Sequence, residues 1–307
     1  MRHFLCLADL TTDEAQQILQ LAGELKQQGQ QSQLLAGHTL ALLFEKPSLR
    51  TRVSFEAGMN QLAGNTLFLG EEAGWGKRES IKDFIEVLSA YVDLIACRAK
   101  LHQDVITLAE YASCPVINAL TDYCHPCQAL ADLLTISELH GGLEGQKLAF
   151  VGDANNVARS LASACGLLGV AMSIASPQGY SFDESFLARC QQQFPHLELQ
   201  QTTDPYEAVK GASAVYTDVW ASMGQEQQQA TRARDFAGYQ VDARLLDEAS
   251  SDAIFLHCLP AHRGQEVTDE VMDGPRSRVI EQAANRLHLQ KGLLVWLLDQ
   301  RDGAPAE

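Results

Sequence analysis

The 307-residue chain is poor in basic residues: 23 Lys and Arg stand against 39 Asp and Glu, a formal net charge of −16. Nucleic acid and anionic membrane surfaces both require a basic face, so neither is expected as the main partner. A small anionic ligand remains compatible, because a small positive site fits inside a negative molecule. No uninterrupted apolar run reaches the roughly 18 residues of a membrane-crossing helix. The opening stretch "MRHFLCLADLTTDEAQQ" turns acidic too early for the apolar segment of a secretory signal. These absences lead us to expect a soluble, cytoplasmic protein. The eight cysteines are thinly spread, which suits reduced thiols better than a disulfide scaffold. The stretch "GDANNVARS" lacks the G-x-G-x-x-G of dinucleotide-binding turns. Cys124 and Cys127 form a C-x-x-C with no second pair to complete a zinc site. Neither a cofactor nor a metal is expected.

What is present is an alternation of apolar strand-like runs with helical patterns. "HTLALLFEK", "NTLFLG", "DLIACRA" and "CPVINAL" read as strands in the first half. Between them, Phe55, Met59 and Leu62 fall at helical spacing before Gly64. Ser80 and Asp83 form a helix-start signature for the stripe Ile81, Phe84, Ile85, Leu88 and Tyr91. A further helix is expected near residues 105–111, and one over residues 126–139 that stops at Gly141 and Gly142. The alternation then restarts with "QKLAFVGD", the helix "NNVARSLASACGLLG" and the strands "VAMSIAS", "LELQQT", "SAVYTDVW" and "DAIFLHCLP". A long helix over about residues 285–301 closes the pattern. Repeated βα units imply an α/β protein with two doubly wound parallel sheets and helices on both faces. The division falls near residues 141–145, giving domains 1–142 and 143–284, with residues 285–307 as a C-terminal helical segment.

The stretch "FEKPSLRTRVSFE" clusters positive charge inside this acidic chain. Pro47 ends the strand, and a helix begins close to residues 48–52. A helix N-terminus presents free backbone N–H groups and a positive dipole end, which suit a phosphate. Ser48 and Thr51 add hydroxyls, and Arg50 adds a planar fork for two phosphate oxygens. The stretch therefore reads either as an anion cradle or as a Ser/Thr helix cap flanked by two solvated arginines. "HPCQ", "DVWASMG" and "HCLPAHRG" also follow strands, and open α/β sheets bind ligands at their strand ends.

Together, Ser48-Leu49-Arg50-Thr51-Arg52, His125-Pro126-Cys127-Gln128, Asp218 with Ser222-Met223-Gly224, and His257-Cys258-Leu259-Pro260 resemble the signatures of ornithine carbamoyltransferases. They occur in that family's order, and the resemblance covers nearly the whole chain. The first two motifs are shared with aspartate carbamoyltransferases, whereas the Ser-Met-Gly and His-Cys-Leu-Pro motifs favour ornithine. The resemblance implies a first domain for carbamoyl phosphate, a second for the amino acid, and a C-terminal helix that returns to the first. It also implies a homotrimer or a multiple of trimers.

By that resemblance, Ser48, Leu49 (through its backbone), Arg50 and Thr51 grip the phosphate, joined by Arg98 and Arg286. His125 and Gln128 match residues at the carbamoyl end, and Cys258 and Leu259 sit where both substrates meet. Arg98, His125 and Cys258 are the catalytic candidates. Asn156, Asp218, Ser222 and Met223 are the ornithine contacts. Each residue also has a purely structural reading: Arg98 a surface charge, His125 and Asn156 helix-start residues, Cys258 a buried thiol. The resemblance implies transfer of a carbamoyl group from carbamoyl phosphate to the side-chain amine of L-ornithine, giving citrulline and phosphate. Trp75, within the loop of residues 71–80, resembles a tryptophan of N-acetylornithine carbamoyltransferases. N-acetylornithine and putrescine are accordingly the alternative acceptors, with a non-catalytic relative of the fold as a further alternative. Redox chemistry at Cys124 and Cys127 is not expected, since the His-Pro-x-Gln motif accounts for that turn.

Overall fold

A computed structural model describes residues 1–29, 32–75, 78–221 and 226–302. The chain divides into two compact units, Met1–Ala131 with Asn285–Glu307, and Asp132–Ala284. In chain order the first unit holds α1 (Thr12–Gln27), β1 (Thr39–Phe44), α2 (Leu49–Gln61), β2 (Asn65–Leu69), α3 (Ile81–Ser89), β3 (Leu94–Arg98), α4 (His102–Tyr111), β4 (Val116–Leu120) and the start of α5 (Pro126–His140). Its four strands are all parallel, in the order β2-β1-β3-β4. Leu40 through Phe44 of β1 are no more than 1% exposed, as expected for a strand covered on both faces.

The second unit continues with β5 (Lys147–Val151), α6 (Asn156–Leu168), β6 (Ala171–Ala175), α7 (Glu184–Gln193), β7 (Leu199–Thr202), α8 (Pro205–Val209), β8 (Ala214–Thr217), α9 (Gln229–Asp235), α10 (Ala243–Asp247), β9 (Ile254–His257), α11 (Asp269–Met272) and the first residues of α12 (Val279–Asp302). Its five strands are also parallel, in the order β7-β6-β5-β8-β9. The two-parallel-sheet α/β class expected from the alternation is the one observed. Among the described residues, no helix is long and apolar enough to cross a membrane.

Both sheets reverse direction beside their first strand. β1 lies between β2 and β3, and β5 lies between β6 and β8. At such switch points the chain leaves neighbouring strands toward opposite faces and opens a crevice at their carboxyl ends. Local signals set the helices that follow. Ser48 caps α2, Ser80 accepts the Asp83 N–H to cap α3, and Asn155 caps α6 by accepting from the Val157 and Ala158 N–H groups. Gly169, at φ +72°, ends α6 in the left-handed conformation that glycine tolerates best.

Two sequence expectations need correction. Tyr91 does not belong to the buried stripe: α3 ends at Ser89, and Tyr91 is 75% exposed in the turn that follows. The last helix begins at Val279 rather than near residue 285. Its hidden face carries Gln282, Asn285, Arg286, Gln290 and Lys291, all buried, so apolar periodicity does not mark where it starts.

From residue 285 onward, α12 packs within the first unit. Lys26 Nζ donates to Asn285 Oδ1 at 2.8 Å, Lys291 Nζ donates to the Leu25 carbonyl at 3.2 Å and to Gln61 Oε1 at 3.1 Å, and Arg301 pairs with Asp93 at 3.0 Å. The helices meet most closely at Gly292, where an added Cβ would lie 2.8 Å from both the Ala22 nitrogen and the Ile18 carbonyl oxygen of α1. Gly292→Ala should therefore destabilise the protein by roughly 1–3 kcal/mol through overpacking. Intrinsic helix propensity alone has the opposite sign, favouring Ala by about 1 kcal/mol. Urea unfolding decides between them: a higher midpoint for the variant would disprove the close crossing.

Candidate active site

The carboxyl ends of β1, β3 and β4 gather the first cluster. Register places Phe44 beside Arg98, and Arg98 beside Leu120, so the segments leaving these strands start side by side. Ser48 is the N-cap of α2. Its hydroxyl accepts the Thr51 N–H at 3.4 Å and donates to Thr51 Oγ1 at 3.0 Å. Arg286 Nη2 donates to the same Thr51 Oγ1 at 2.6 Å. The cap reading and the cradle reading are thus compatible: the cap geometry holds two hydroxyls and a guanidinium around one helix N-terminus. Arg50, the second residue of α2, is half-buried, while the Leu49 side chain faces solvent and leaves its backbone N–H at the helix start.

Arg98, His125, Gln128 and Arg286 are all buried. His125 immediately precedes α5, and its carbonyl accepts the Ala129 N–H. Burial, with the charges of Arg286 and Arg98 nearby, holds its imidazole pKa well below the ordinary 6.5. His125 is therefore neutral at physiological pH, and a neutral imidazole carries one N–H donor. Arg52 does not join this group. It pairs with Glu56 at 2.8 Å and lies 3.8 Å over the centre of the Phe68 ring.

The second cluster lies at the ends of β5, β8 and β9. Val151 is in register with Thr217, and Thr217 with His257. Asp218 and Cys258, one residue further along each strand, are thereby brought together, and the Cys258 thiol donates to Asp218 Oδ1 at 3.1 Å. Asn155 Nδ2 donates to Asp218 Oδ2 at 2.8 Å. Among the described residues, both carboxylate oxygens accept from neutral donors.

His257 braces the turn that carries Cys258. Its backbone N–H donates to Gln282 Oε1 at 2.9 Å, and its Nδ1 accepts the Leu259 N–H at 2.9 Å. The ring proton therefore sits on Nε2, which faces Glu266 Oε1 at 3.2 Å, with both side chains fully buried. Leu259 is half-buried at φ +58°, a conformation unusual for a branched side chain. Ligand atoms of Asp218, His257 and Cys258 lie within 4.8 Å of one another. Both imidazole nitrogens already have partners, so a metal there would displace one of them.

Of the residues picked out in sequence, Ser48, Leu49, Arg50, Thr51, Arg98, His125, Gln128 and Arg286 belong to the first unit, and Asn156, Asp218, Cys258 and Leu259 to the second. Ser222 and Met223 lie outside the described residues. The asparagine that contacts Asp218 is Asn155, whereas Asn156 is the first residue of α6. Adjacent asparagines give no spacing signal that separates these roles. Glu266 and Asp153 were missed as well, because single acidic residues in loops carry no pattern. Trp75 is 8% exposed and packs with Ala41, Leu43 and Ile85 in the core of the first unit, so within this chain it acts as a core side chain. Cys124 and Cys127 are buried free thiols. Cys124 Sγ donates to the Leu5 carbonyl and Cys127 Sγ to that of Asn118. Burial raises both pKa values, that of Cys127 to about 12, the reverse of what a redox C-x-x-C requires.

Comparison with known proteins bears on both clusters. The carbamoyl-P binding domain of the aspartate/ornithine carbamoyltransferase family matches residues 2–138, and the family's Asp/Orn binding domain matches residues 144–297. The ornithine carbamoyltransferase of Anoxybacillus flavithermus is 51% identical over 303 residues, covering 97% of this chain and 96% of that protein. That of Bacillus subtilis is 51% identical over 300 residues, covering 97% and 94%. The solved ornithine carbamoyltransferase from Pyrococcus furiosus superposes with a TM-score of 0.93 at 47% identity, covering 96% of each chain. The one from Thermus thermophilus gives 0.89 at 44%, covering 97% of this chain and 99% of that one. With both halves matched in order and nearly the full length aligned at about half identity, the chain belongs to the aspartate/ornithine carbamoyltransferase family.

Proposed function

We propose that this protein transfers the carbamoyl group of carbamoyl phosphate to the side-chain amine of L-ornithine, releasing L-citrulline and phosphate. The observation that carries this reading is that the first unit holds a cationic strand-end cluster and the second, taken by itself, an anionic one. Ser48, the Leu49 backbone, Arg50, Thr51, Arg98 and Arg286 suit the phosphate. His125 and Gln128 suit the carbamoyl group. Asp218 suits an α-ammonium, with Asn155 and the Cys258 thiol orienting its oxygens.

In this scheme the neutral ornithine amine attacks the carbonyl carbon, and negative charge develops on the carbonyl oxygen. A fixed N–H from His125, with Arg98, stabilises that charge without reorganising at the moment of reaction. The C–O bond to phosphate then breaks, the amine proton is lost, and the phosphate leaves with its charge met by the guanidinium groups. Cys258, one hydrogen bond from Asp218, lies on the amino-acid side. His257 and Glu266 act through it by fixing its turn.

The ~50% identity to proteins named ornithine carbamoyltransferase favours ornithine as the acceptor, and Asp218 favours it further over N-acetylornithine. An acetylated α-nitrogen carries no charge for Asp218 to meet, whereas putrescine keeps that ammonium and lacks only the α-carboxylate, so the identity to the relatives is what sets putrescine aside. We further propose that the protein is cytoplasmic and assembles as a trimer or a multiple of trimers. Light scattering on active enzyme tests the assembly, and a fully active monomer would overturn it. The assay that tests the activity measures ureido product from carbamoyl phosphate with ornithine, N-acetylornithine, putrescine or aspartate. Product with ornithine alone is the expected result.

Removing the Thr51 hydroxyl should raise the KM for carbamoyl phosphate. In Thr51→Val the buried Arg286 loses an acceptor at 2.6 Å, at a cost of roughly 1.5–3 kcal/mol, or on the order of tenfold to a hundredfold in affinity. The KM for ornithine at saturating carbamoyl phosphate should change little. Equal weakening of both substrates would remove Thr51 from the phosphate grip.

The depressed pKa of His125 also fixes a pH dependence. A folded-state value below the unfolded value keeps the ring neutral from pH 6.5 upward, and protonation weakens the fold only as pH drops below that range. His125 should then contribute no inflection to kcat between pH 6.5 and 9. The rise of kcat with pH should come instead from deprotonation of the ornithine amine. An inflection near pH 6.5 that disappears in His125→Asn would contradict this assignment.

A further inference from the structure

One buried cation in the second unit has no role in the scheme above. Arg232 of α9 is 6% exposed. Its Nη1 donates to Asp153 Oδ2 at 2.5 Å and to the Trp220 carbonyl at 2.8 Å, and its Nε donates to Gln228 Oε1 at 3.2 Å. The guanidinium lies 5.0 Å over the Tyr180 ring, and Tyr180 is itself held by a hydrogen bond to Asp235 at 2.9 Å and by edge packing on Phe236. Trp220 stacks on the same Phe236 ring. A guanidinium fixed in this way by four neighbours has a definite target, and its two strongest contacts lie at the strand ends already described.

Asp153 is two residues past the end of β5, and Asp218 is one residue past the end of β8, on strands paired Val151 to Thr217. Two carboxylates therefore face one small region. Asp218 Oδ2 is tied to Asn155, two residues from Asp153. Burial pushes the Asp153 pKa upward, the Arg232 guanidinium pulls it down, and the negative charge of Asp218 adds a smaller upward push. Without a cation, Asp153 would offer the substrate a second anion, at a different angle from Asp218, or would take up a proton. Either change would blur the recognition of one α-ammonium group.

We propose that Arg232 is a positioning residue for the amino-acid substrate: it neutralises Asp153 and ties the Trp220 carbonyl to the end of β5, leaving Asp218 as the carboxylate that meets the α-ammonium. This rests on the ornithine reading above. Arginine suits the task because one planar fork reaches both the carboxylate and the carbonyl, which a lysine ammonium does not reproduce. Removing one partner of a buried pair leaves the other charge uncompensated, so the effect should exceed that of a surface ion pair.

The test uses full-length enzyme and four proteins: wild type, Arg232→Gln, Asp153→Asn and the double variant. Wild-type turnover with ornithine comes first. Its absence would sink the ornithine reading and this proposal with it, whereas its presence leaves the variants to judge Arg232 alone. Arg232→Gln should raise the KM for ornithine by about tenfold or more, while the KM for carbamoyl phosphate stays within about twofold. The Ki of norvaline, which keeps the α-ammonium and lacks the side-chain amine, should rise in parallel. Asp153→Asn, which leaves Arg232 as an uncancelled cation, should also raise both. The double variant, neutral again, should recover most of the loss. A double variant no better than Arg232→Gln, or equal weakening of carbamoyl phosphate and ornithine, would overturn the proposal. If Arg232→Gln does not fold, Asp153→Asn decides: an unchanged ornithine KM overturns it, and a selective rise supports it.

Discussion

β1 and β5 are parallel strands with no wet face. Leu40 to Phe44 and Leu148 to Val151 are at most 1% exposed, so neither strand holds a charged side chain along these stretches without a large desolvation cost. That dryness places the polar chemistry of both units. Charge is tolerated at or just past the end of a strand, which is where Ser48, Arg98, His125, Asp153, Asn155, Asp218 and Cys258 all lie. Parallel register then decides which of them meet. Because Thr217 pairs with His257, the next residues on each strand are Asp218 and Cys258, and their contact follows without any further device.

The same logic explains which features the sequence made legible. Buried parallel strands give continuous apolar runs, so most of the strands among the described residues were readable, as was the helix start at Ser48. His125 and Arg98 stood out only through the family resemblance, since each by itself also reads as a structural residue. The start of α12 was not readable, because its first turns bury Gln282, Asn285 and Arg286, and its buried apolar residues gather only from Leu289 onward. Tyr91 failed for the opposite reason. It continues the helical period past Ser89, but the chain turns first, and period alone does not show where a helix stops.

Hydrogen-bond partnership is the part least visible in one dimension. "GDANN" offers two asparagines, and only the folded chain shows that Asn155 both caps α6 and holds Asp218. Likewise Glu266 meets His257 nine residues away, and Arg232 meets Asp153 across 79 positions. No periodicity or motif encodes such distances. They arise because the sheet brings strand ends together and the intervening segments must return to them.

The acidity of the chain and its cationic cradle are consistent once the ranges of the forces are compared. A net charge of −16 is distributed over the whole molecule, and at physiological salt each exposed charge is screened beyond about 8 Å. A phosphate at the N-terminus of α2 would instead lie within hydrogen-bonding reach of groups such as Arg286, which is buried and already aimed by Thr51. Screening barely acts at that distance, and the low local polarizability strengthens each contact. The same burial that makes the guanidinium groups effective also keeps His125 uncharged, since a third cation packed among them would repel both. The first cluster therefore carries its positive charge on arginines, with the histidine beside them neutral. The second holds its negative charge on Asp218, whose neighbours Asn155 and Cys258 supply neutral donors. In each case a neutral group holds a charged one in place: the Thr51 hydroxyl meets Arg286, and the Asn155 amide meets Asp218.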